Sequence, residues 1–237
     1  MILNRDVKIK YLGHSTFLFT TPAGQKLLVD PWVQNNPACP PAHKKIESLQ
    51  TMLITHAHFD HMQDAVQLAK KHHPRIGCIV EIANWLERQG VSKVSGMNKG
   101  GTQQLNDVRV TMVDARHSSG ILEKDGSMSY GGESAGYVFE FENGFRVYHA
   151  GDTCVFGDME IIGEIYRPEL VLLPIGDLFT MGPREAAYAC KLLKARRVIP
   201  IHYGTFPLLT GTPEQLFELV QDQGTEVLGM EPGEELV

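Results

Sequence analysis

Short apolar runs punctuate the chain at two different periods. Residues 7–13 ("VKIKYLG"), 15–21 ("STFLFTT") and 25–30 ("QKLLVD") have strand-like patterning, and the turn "PAG" joins the second to the third. "TMLITH" at 51–56 predicts a buried strand, and the stretch from Asp60 to His73 has helical periodicity that stops at Pro74. The alternation continues with a strand at 75–80, a helix at 81–90 closed by Gly90, and a strand at 108–117. Residues 135–152 predict a hairpin turning at Asn143-Gly144. A helix near 158–166, a strand at 169–176, a helix opening at Gly182-Pro183, a strand at 196–202 and a helix near 213–222 follow.

Two long stretches carry no regular pattern: 31–47, rich in proline, and 117–135, rich in glycine and serine. Loops of that length are uncommon unless they serve a function. With no repeat, low-complexity tract or linker, residues 1–237 read as one domain.

Composition narrows the function classes. At 237 residues and 43% hydrophobic, the chain can bury a substantial core. The net charge of −6 and scattered basic pairs (Lys44-Lys45, Lys70-Lys71, Arg196-Arg197) argue against a nucleic-acid partner, which asks for a basic stripe. No run is long enough for a membrane span and the first residues do not resemble a signal peptide, so a cytoplasmic location is expected. Cys39, Cys78, Cys154 and Cys190 are widely spaced, as expected of reduced thiols.

The chemistry is concentrated in "THAHFDHMQD", residues 55–64. In an extended segment alternate side chains face the same way, so His56 and His58 converge, while Asp60 and His61 address a neighbouring point where a helix begins. Imidazole nitrogen and carboxylate oxygen are ligands for zinc and similar divalent ions. A polar helix cap with exposed histidines would be the better account of a single such residue, but the whole H-x-H-x-D-H pattern reverses that in favour of metal binding. Three more candidates each lie just beyond an apolar strand: His117, Asp152 and His202. Together they supply ligands for two ions, one on His56, His58 and His117, the other on Asp60, His61 and His202, with Asp152 as the bridge. Zinc is the first expectation; manganese, nickel and iron suit the same ligands.

The ordered set "HAHFDH", His117, "GDT" and "IHYG" resembles the metallo-β-lactamase superfamily, and the pattern spans residues 56–202. The resemblance implies an α/β fold, a four-layer αββα sandwich with a dinuclear metal site at one edge of its sheets. "GHST", "LLVDPW" and "LPIGDLFTMGP" narrow it to a branch similar to ascorbate-6-phosphate lactonases. The implied activity is metal-dependent hydrolysis, in which a hydroxide bridging two metals attacks a small ester, lactone or phosphorylated metabolite. Flavodiiron relatives carry Glu where this chain has His58, which favours hydrolysis over redox chemistry. A nuclease or phosphodiesterase and a non-catalytic metal-binding regulator are the alternatives. A small-molecule substrate is expected, without nucleic acid or membrane, and a homo-oligomer is allowed.

Asp60 is expected to orient the nucleophile or carry a proton, and the resemblance adds His14 as a catalytic or packing residue. Asp30 would accept the spare N–H of a ligating histidine. Asp177 is left between substrate contact and loop capping, and His149 is expected to support the site from the core. Cys154 is expected to be buried, Met181 and Phe179 to pack in the core, and His43, His72 and His73 to lie at the surface.

Overall fold

A computed structural model describes residues 4–237. Seven strands form the first sheet, in the order β16-β1-β2-β3-β4-β5-β6. In chain order they are β1 (Lys8–Tyr11), β2 (Phe17–Thr20), β3 (Lys26–Val29), β4 (Thr51–Leu53), β5 (Arg75–Ile79), β6 (Val94–Met97) and β16 (Glu235–Leu236). The second sheet runs β15-β14-β13-β12-β11-β8-β7. It comprises β7 (Thr102–Leu105), β8 (Val108–Asp114), β11 (Ala135–Glu140), β12 (Arg146–His149), β13 (Leu170–Pro174), β14 (Arg197–Ile201) and β15 (Glu226–Val227). Between β8 and β11 a small antiparallel pair, β9 (Gly120–Leu122) and β10 (Met128–Tyr130), stands apart from both sheets.

Side-chain alternation places the sheets face to face. On β8, β11, β12, β13 and β14, Val110, Met112, Tyr137, Phe139, Val147, Leu172 and Ile199 join the core of the first sheet. Their neighbours Val113, Val138, Tyr148, Val171, Leu173 and Val198 face a second core against the helices α4 (Met159–Tyr166), α5 (Pro183–Leu193) and α6 (Pro213–Val220). The first core also takes in α2 (Ala65–His72) and α3 (Val80–Arg88), which follow the short α1 (Phe59–Met62). The layers are therefore helix, sheet, sheet, helix: the expected αββα sandwich. The Tyr137 hydroxyl, wholly buried, donates to the Ile54 carbonyl at 2.8 Å and ties β11 to the chain leaving β4.

Strand direction selects the functional edge. β1 and β3 both run antiparallel to β2, and β3 is parallel to β4, so the carboxyl ends of β1, β3 and β4 lie together. In the other sheet β8 and β12 flank β11 antiparallel, and β12, β13 and β14 are mutually parallel, which aligns their carboxyl ends too. His14, Asp30, His56, His117, Asp152 and His202 all follow one of these ends.

Several features depart from the pattern read along the chain, among them β6, β7, β15 and β16, which that pattern does not mark. The helix expected from Asp60 to His73 is broken into α1 and α2, because the Asp64 N–H bonds the Pro31 carbonyl at 2.9 Å instead of a carbonyl one turn back. The Asp64 carboxylate then accepts the N–H groups of Val33 and Gln34 at 2.6 and 2.8 Å, anchoring the proline-rich segment. The stretch 117–135 is not wholly irregular, since it contains the β9–β10 hairpin, whose three-residue strands are too short to leave an alternating signal. Cys154 is exposed rather than buried, because it lies in the turn past β12 with its N–H on the Arg116 carbonyl. Among the described residues no helix is long and apolar enough to cross a membrane.

Candidate metal centre

The backbone builds the centre by turning sharply where strands end. His14, Asp30 and His202 adopt left-handed φ values of 61°, 52° and 55°, uncommon for side-chain-bearing residues and worth about 1–3 kcal/mol of strain each. The His202 N–H donates to the His14 carbonyl at 2.9 Å, closing the two sheets at this edge. Gly151, with φ 63°, precedes Asp152; a Cβ there would meet the Ala135 carbonyl oxygen at 2.8 Å and Thr55 at 2.9 Å. The glycine lets Asp152 reach the centre.

Three overlapping groups of potential ligand atoms result: His56, His58 and His117; His56, His61 and Asp152; and His14, Asp60, His61 and His202. All seven expected ligands are thus assembled within one centre, joined by His14. In the first group the His58 Nδ1 lies 3.0 Å from His56 Nε2 and 3.3 Å from His117 Nε2. Asp152 Oδ2 is central, at 2.9 Å from His202 Nε2, 3.3 Å from His61 Nε2, 3.6 Å from His117 Nε2 and 3.8 Å from His56 Nε2. Asp60 Oδ2 lies 3.9 Å from His202 Nε2 and 4.0 Å from His61 Nε2.

Supporting hydrogen bonds decide which nitrogens are free. Asp30 Oδ2 accepts His61 Nδ1–H at 2.8 Å and the Thr55 hydroxyl at 2.8 Å, while Oδ1 accepts the Thr55 N–H at 2.8 Å. With its hydrogen spent on Asp30, the Thr55 hydroxyl accepts His56 Nδ1–H at 3.0 Å. Both imidazoles therefore turn Nε2, bare whenever the ring is neutral, towards Asp152. Asp30 accepts a histidine N–H as its place in the sequence implied, while the part played by Thr55 has no signal beyond its adjacency to His56.

The electrostatics fit cations. His61 Nε2 and Asp152 Oδ1 are buried and make no hydrogen bond, an arrangement that a ligand can satisfy. Burial alone would raise the Asp152 pKa, yet His202 and His61 hold its carboxyl well below the usual carboxylate range. Burial opposes a charged His61 as well, but Asp152 and Asp30 push its pKa well above the ordinary value. The two carboxylates thus demand positive charge inside a buried, nitrogen-rich centre, the donor set of a divalent ion.

His14 touches Asp60 rather than standing free. Its Nε2 is 3.1 Å from Asp60 Oδ2 and its Nδ1 is 3.0 Å from the Thr205 hydroxyl. Burial, then the neighbouring His202, lowers the His14 pKa to about 4, so the ring is neutral. An ionised carboxylate only accepts, so Nε2–H donates to Asp60 and Nδ1 accepts from Thr205. Burial would raise the Asp60 pKa, but this hydrogen bond helps depress it. Thr205 and the aromatic wall of Trp32, Phe59 and Phe206 were not anticipated; Trp32 lies 5.9 Å from each phenyl ring.

The remaining candidates lie elsewhere. His149 is in the core, where Nε2–H donates to the Ser15 carbonyl at 3.1 Å and Nδ1 accepts the Gly151 N–H at 3.1 Å. Asp177 is exposed and caps its own loop, accepting the Leu178 N–H at 2.7 Å. Met181 is buried as expected, but Phe179 is exposed on that loop. His73 is exposed, and His43 and His72 are half-buried outside the centre.

The chain is similar to known proteins over most of its length. The family described as "Beta-lactamase superfamily domain" matches residues 25–203. A relative from Koribacter versatilis, named a UPF0173 metal-dependent hydrolase, is 53% identical over 230 residues, covering 97% of each chain. A relative of the same name from Chloroflexus aurantiacus is 52% identical over 238 residues, covering 98% of each. Among solved structures, Igni18, a metallo hydrolase from the archaeon Ignicoccus hospitalis, superposes with a TM-score of 0.84 at 35% identity, covering 97% of both chains. The chain belongs to the metallo-β-lactamase superfamily, alongside relatives named metal-dependent hydrolases.

Proposed function

We propose that this protein is a cytoplasmic hydrolase that uses two divalent metal ions, zinc in the first instance, to cleave a small ester, lactone or phosphorylated metabolite. The observation that carries the reading is Asp152 Oδ2, set within 4 Å of four histidine Nε2 atoms and so able to bridge two positions. His56, His58 and His117 would hold one ion, and Asp60, His61 and His202 the other. Ions so held supply Lewis acidity and bring the pKa of water towards about 7.

The chain's own groups do the rest. Asp30 orients His61 directly and His56 through Thr55. His14 holds the Asp60 carboxylate ionised and fixed in direction, so that its remaining lone pairs can steer an attacking water or take its proton. Asp60 fixes the His14 tautomer, and Thr205 holds the ring's other nitrogen. His14 on this reading is a positioning residue, and Asp60 the group nearest the reaction.

The test combines elemental analysis of purified protein with a screen of lactones, thioesters, esters, amides and phosphodiesters. Two divalent ions per chain, and turnover abolished in His56→Ala, are expected. Rapid, salt-sensitive cleavage of duplex DNA by the wild type, lost in His56→Ala, would replace this reading with the nuclease one.

A further inference from the structure

At the amino ends of β12, β13 and β14, the edge of the second sheet opposite the metal centre, lies a cavity of about 760 Å³. That size is within the range of small-molecule sites. None of its lining residues is a candidate metal ligand. Gly163 and Leu193, in the last turns of α4 and α5, give it part of a buried lining. A Cβ on Gly163 would meet the Leu193 carbonyl oxygen at 2.6 Å, so the glycine lets the two helix ends meet there.

The cavity is cationic in a chain whose net charge is −6. Arg5, Arg146, Arg167, Lys194 and Arg196 line it against two carboxylates, Glu164 and Glu169. Both carboxylates are engaged: Arg5 Nη2 is 2.9 Å from Glu169 Oε2, and Lys194 Nζ is 3.0 Å from Glu164 Oε1. The Nε–H groups of Arg146 and Arg167 donate only to main-chain carbonyls, of Arg167 and Glu164, at 3.2 and 3.4 Å. Among the described residues Arg196 has no hydrogen bond or ion pair. Three guanidiniums therefore face one cavity without a carboxylate partner.

Helix dipoles account for only part of this charge. Arg167 and Lys194 follow the carboxyl ends of α4 and α5, each of which carries about half a negative charge. Arg146 opens β12 and Arg196 immediately precedes β14, where no helix end calls for a cation. With both helix ends counted, about two positive charges remain unmatched. A single carboxylate falls short of that, whereas a phosphate monoester carries about −1.5 to −2. The guanidinium fork also suits paired phosphate oxygens. Glu169 Oε1 is buried without a hydrogen bond. A phosphate dianion offers it no donor, but a hydroxyl on the same ligand does, and the cavity has room for both.

We propose that this cavity binds a small, hydroxyl-bearing phosphate ester, with the phosphate held by Arg146, Arg167 and Arg196. The site is separate from the metal centre and does not depend on the hydrolase reading.

Calorimetric titration of the full chain at constant ionic strength tests it, with glycerol 3-phosphate, inorganic phosphate and succinate as probes. Glycerol 3-phosphate is expected to saturate one site, at least tenfold tighter than succinate and several-fold tighter than inorganic phosphate. Arg146→Gln and Arg196→Gln should each weaken it at least fivefold; Arg196 holds no other group in place, so that variant keeps the wild-type Tm. His58→Ala, which alters the metal centre, should leave the affinity unchanged. Absence of saturable binding, or binding indifferent to both arginine substitutions, overturns the proposal. So does loss of binding in His58→Ala, which would move the ligand to the metals, and succinate binding as tightly, which would make the site one for dicarboxylates. Sedimentation of the chain with phosphatidic acid vesicles, lost in Arg196→Gln and without binding of free glycerol 3-phosphate, would replace the soluble ester with a lipid surface.

Discussion

Asp30 Oδ2 and His61 Nδ1 are 2.8 Å apart, both fully buried, and this pair aims the opposite edge of the imidazole at Asp152. The same carboxylate reaches His56 through Thr55. Removing such a partner commonly costs 10–100-fold in metal affinity. Asp30→Ala is therefore expected to weaken metal binding by about that factor, and Thr55→Val, which disturbs only the His56 branch, by less. Competition with a chelator of known affinity measures both. Unchanged affinity in Asp30→Ala would show that the pair serves the fold alone.

Metal content should follow the partition of ligands. His56→Ala and His58→Ala are each expected to lose one ion, and Asp152→Ala, which removes the shared carboxylate, to lose both. A metal at about a thousand times its Kd stabilises a native state by about 4 kcal/mol. Chelation is then expected to lower Tm by about 8–16 °C at this chain length. A melting curve indifferent to chelation and to added zinc would remove the metal centre from the account.

His14 and Asp60 should behave as one unit. His14→Ala and Asp60→Ala are each expected to lower kcat, with the double variant little worse than Asp60→Ala, because residues joined by a hydrogen bond do not contribute independently. The ion on His56, His58 and His117 should survive in all three. His14→Gln, which keeps a donor for Asp60, should recover part of the loss. Strictly multiplicative effects would mean that His14 acts by some route other than Asp60.

Thiol reactivity should separate one cysteine from three. Burial pushes the thiols of Cys39 and Cys190 up to about 11 and about 12, and that of Cys78 higher, while Cys154 is exposed. The thiolate is the reactive form. At pH 8 the folded protein is expected to react rapidly with a disulfide reagent at a single thiol, and Cys154→Ser to abolish that reaction. Fast titration of more than one thiol in the native state would contradict the burial pattern.

Acid should weaken the metal-free protein partly through His149. Burial lowers its pKa in the folded state, where one ring nitrogen donates to Ser15 and the other accepts from Gly151. Unfolded, it titrates near 6.5. Below that value the unfolded chain binds a proton that the folded chain refuses, so the contribution is fully present above about 6.5 and declines as pH falls, by at most about 1.4 kcal/mol per unit. Urea midpoints of chelated protein at pH 7.5 and 5.0 should differ less in His149→Gln than in the wild type. Equal differences would assign the acid sensitivity to other groups.

Much of this molecule is legible along the chain because its signals are local. Strand period, the Asn143-Gly144 turn and Pro74 each act within a few residues, so the main strands and helices could be placed without coordinates. The H-x-H-x-D-H spacing is equally local. His117, Asp152 and His202 each follow an apolar strand, and parallel strands put such positions at one edge.

What needed the tertiary structure depends on groups distant in sequence. The break between α1 and α2 follows from Pro31 capturing the Asp64 N–H, and nothing near Asp64 announces it. The short hairpin at 120–130 is held by packing and pairing too brief to leave a period. Asp60 is met by His14 from another strand end, and His14 by Thr205, 191 residues away, so neither partnership has a sequence spacing to detect. Sequence by itself determined the donor atoms and the order of the elements that carry them, because donor chemistry and periodicity belong to single residues and short segments. Only the fold decided which ring nitrogens face Asp152 and which groups hold His14 and Asp60, because those depend on contacts that exist only when distant strand ends meet.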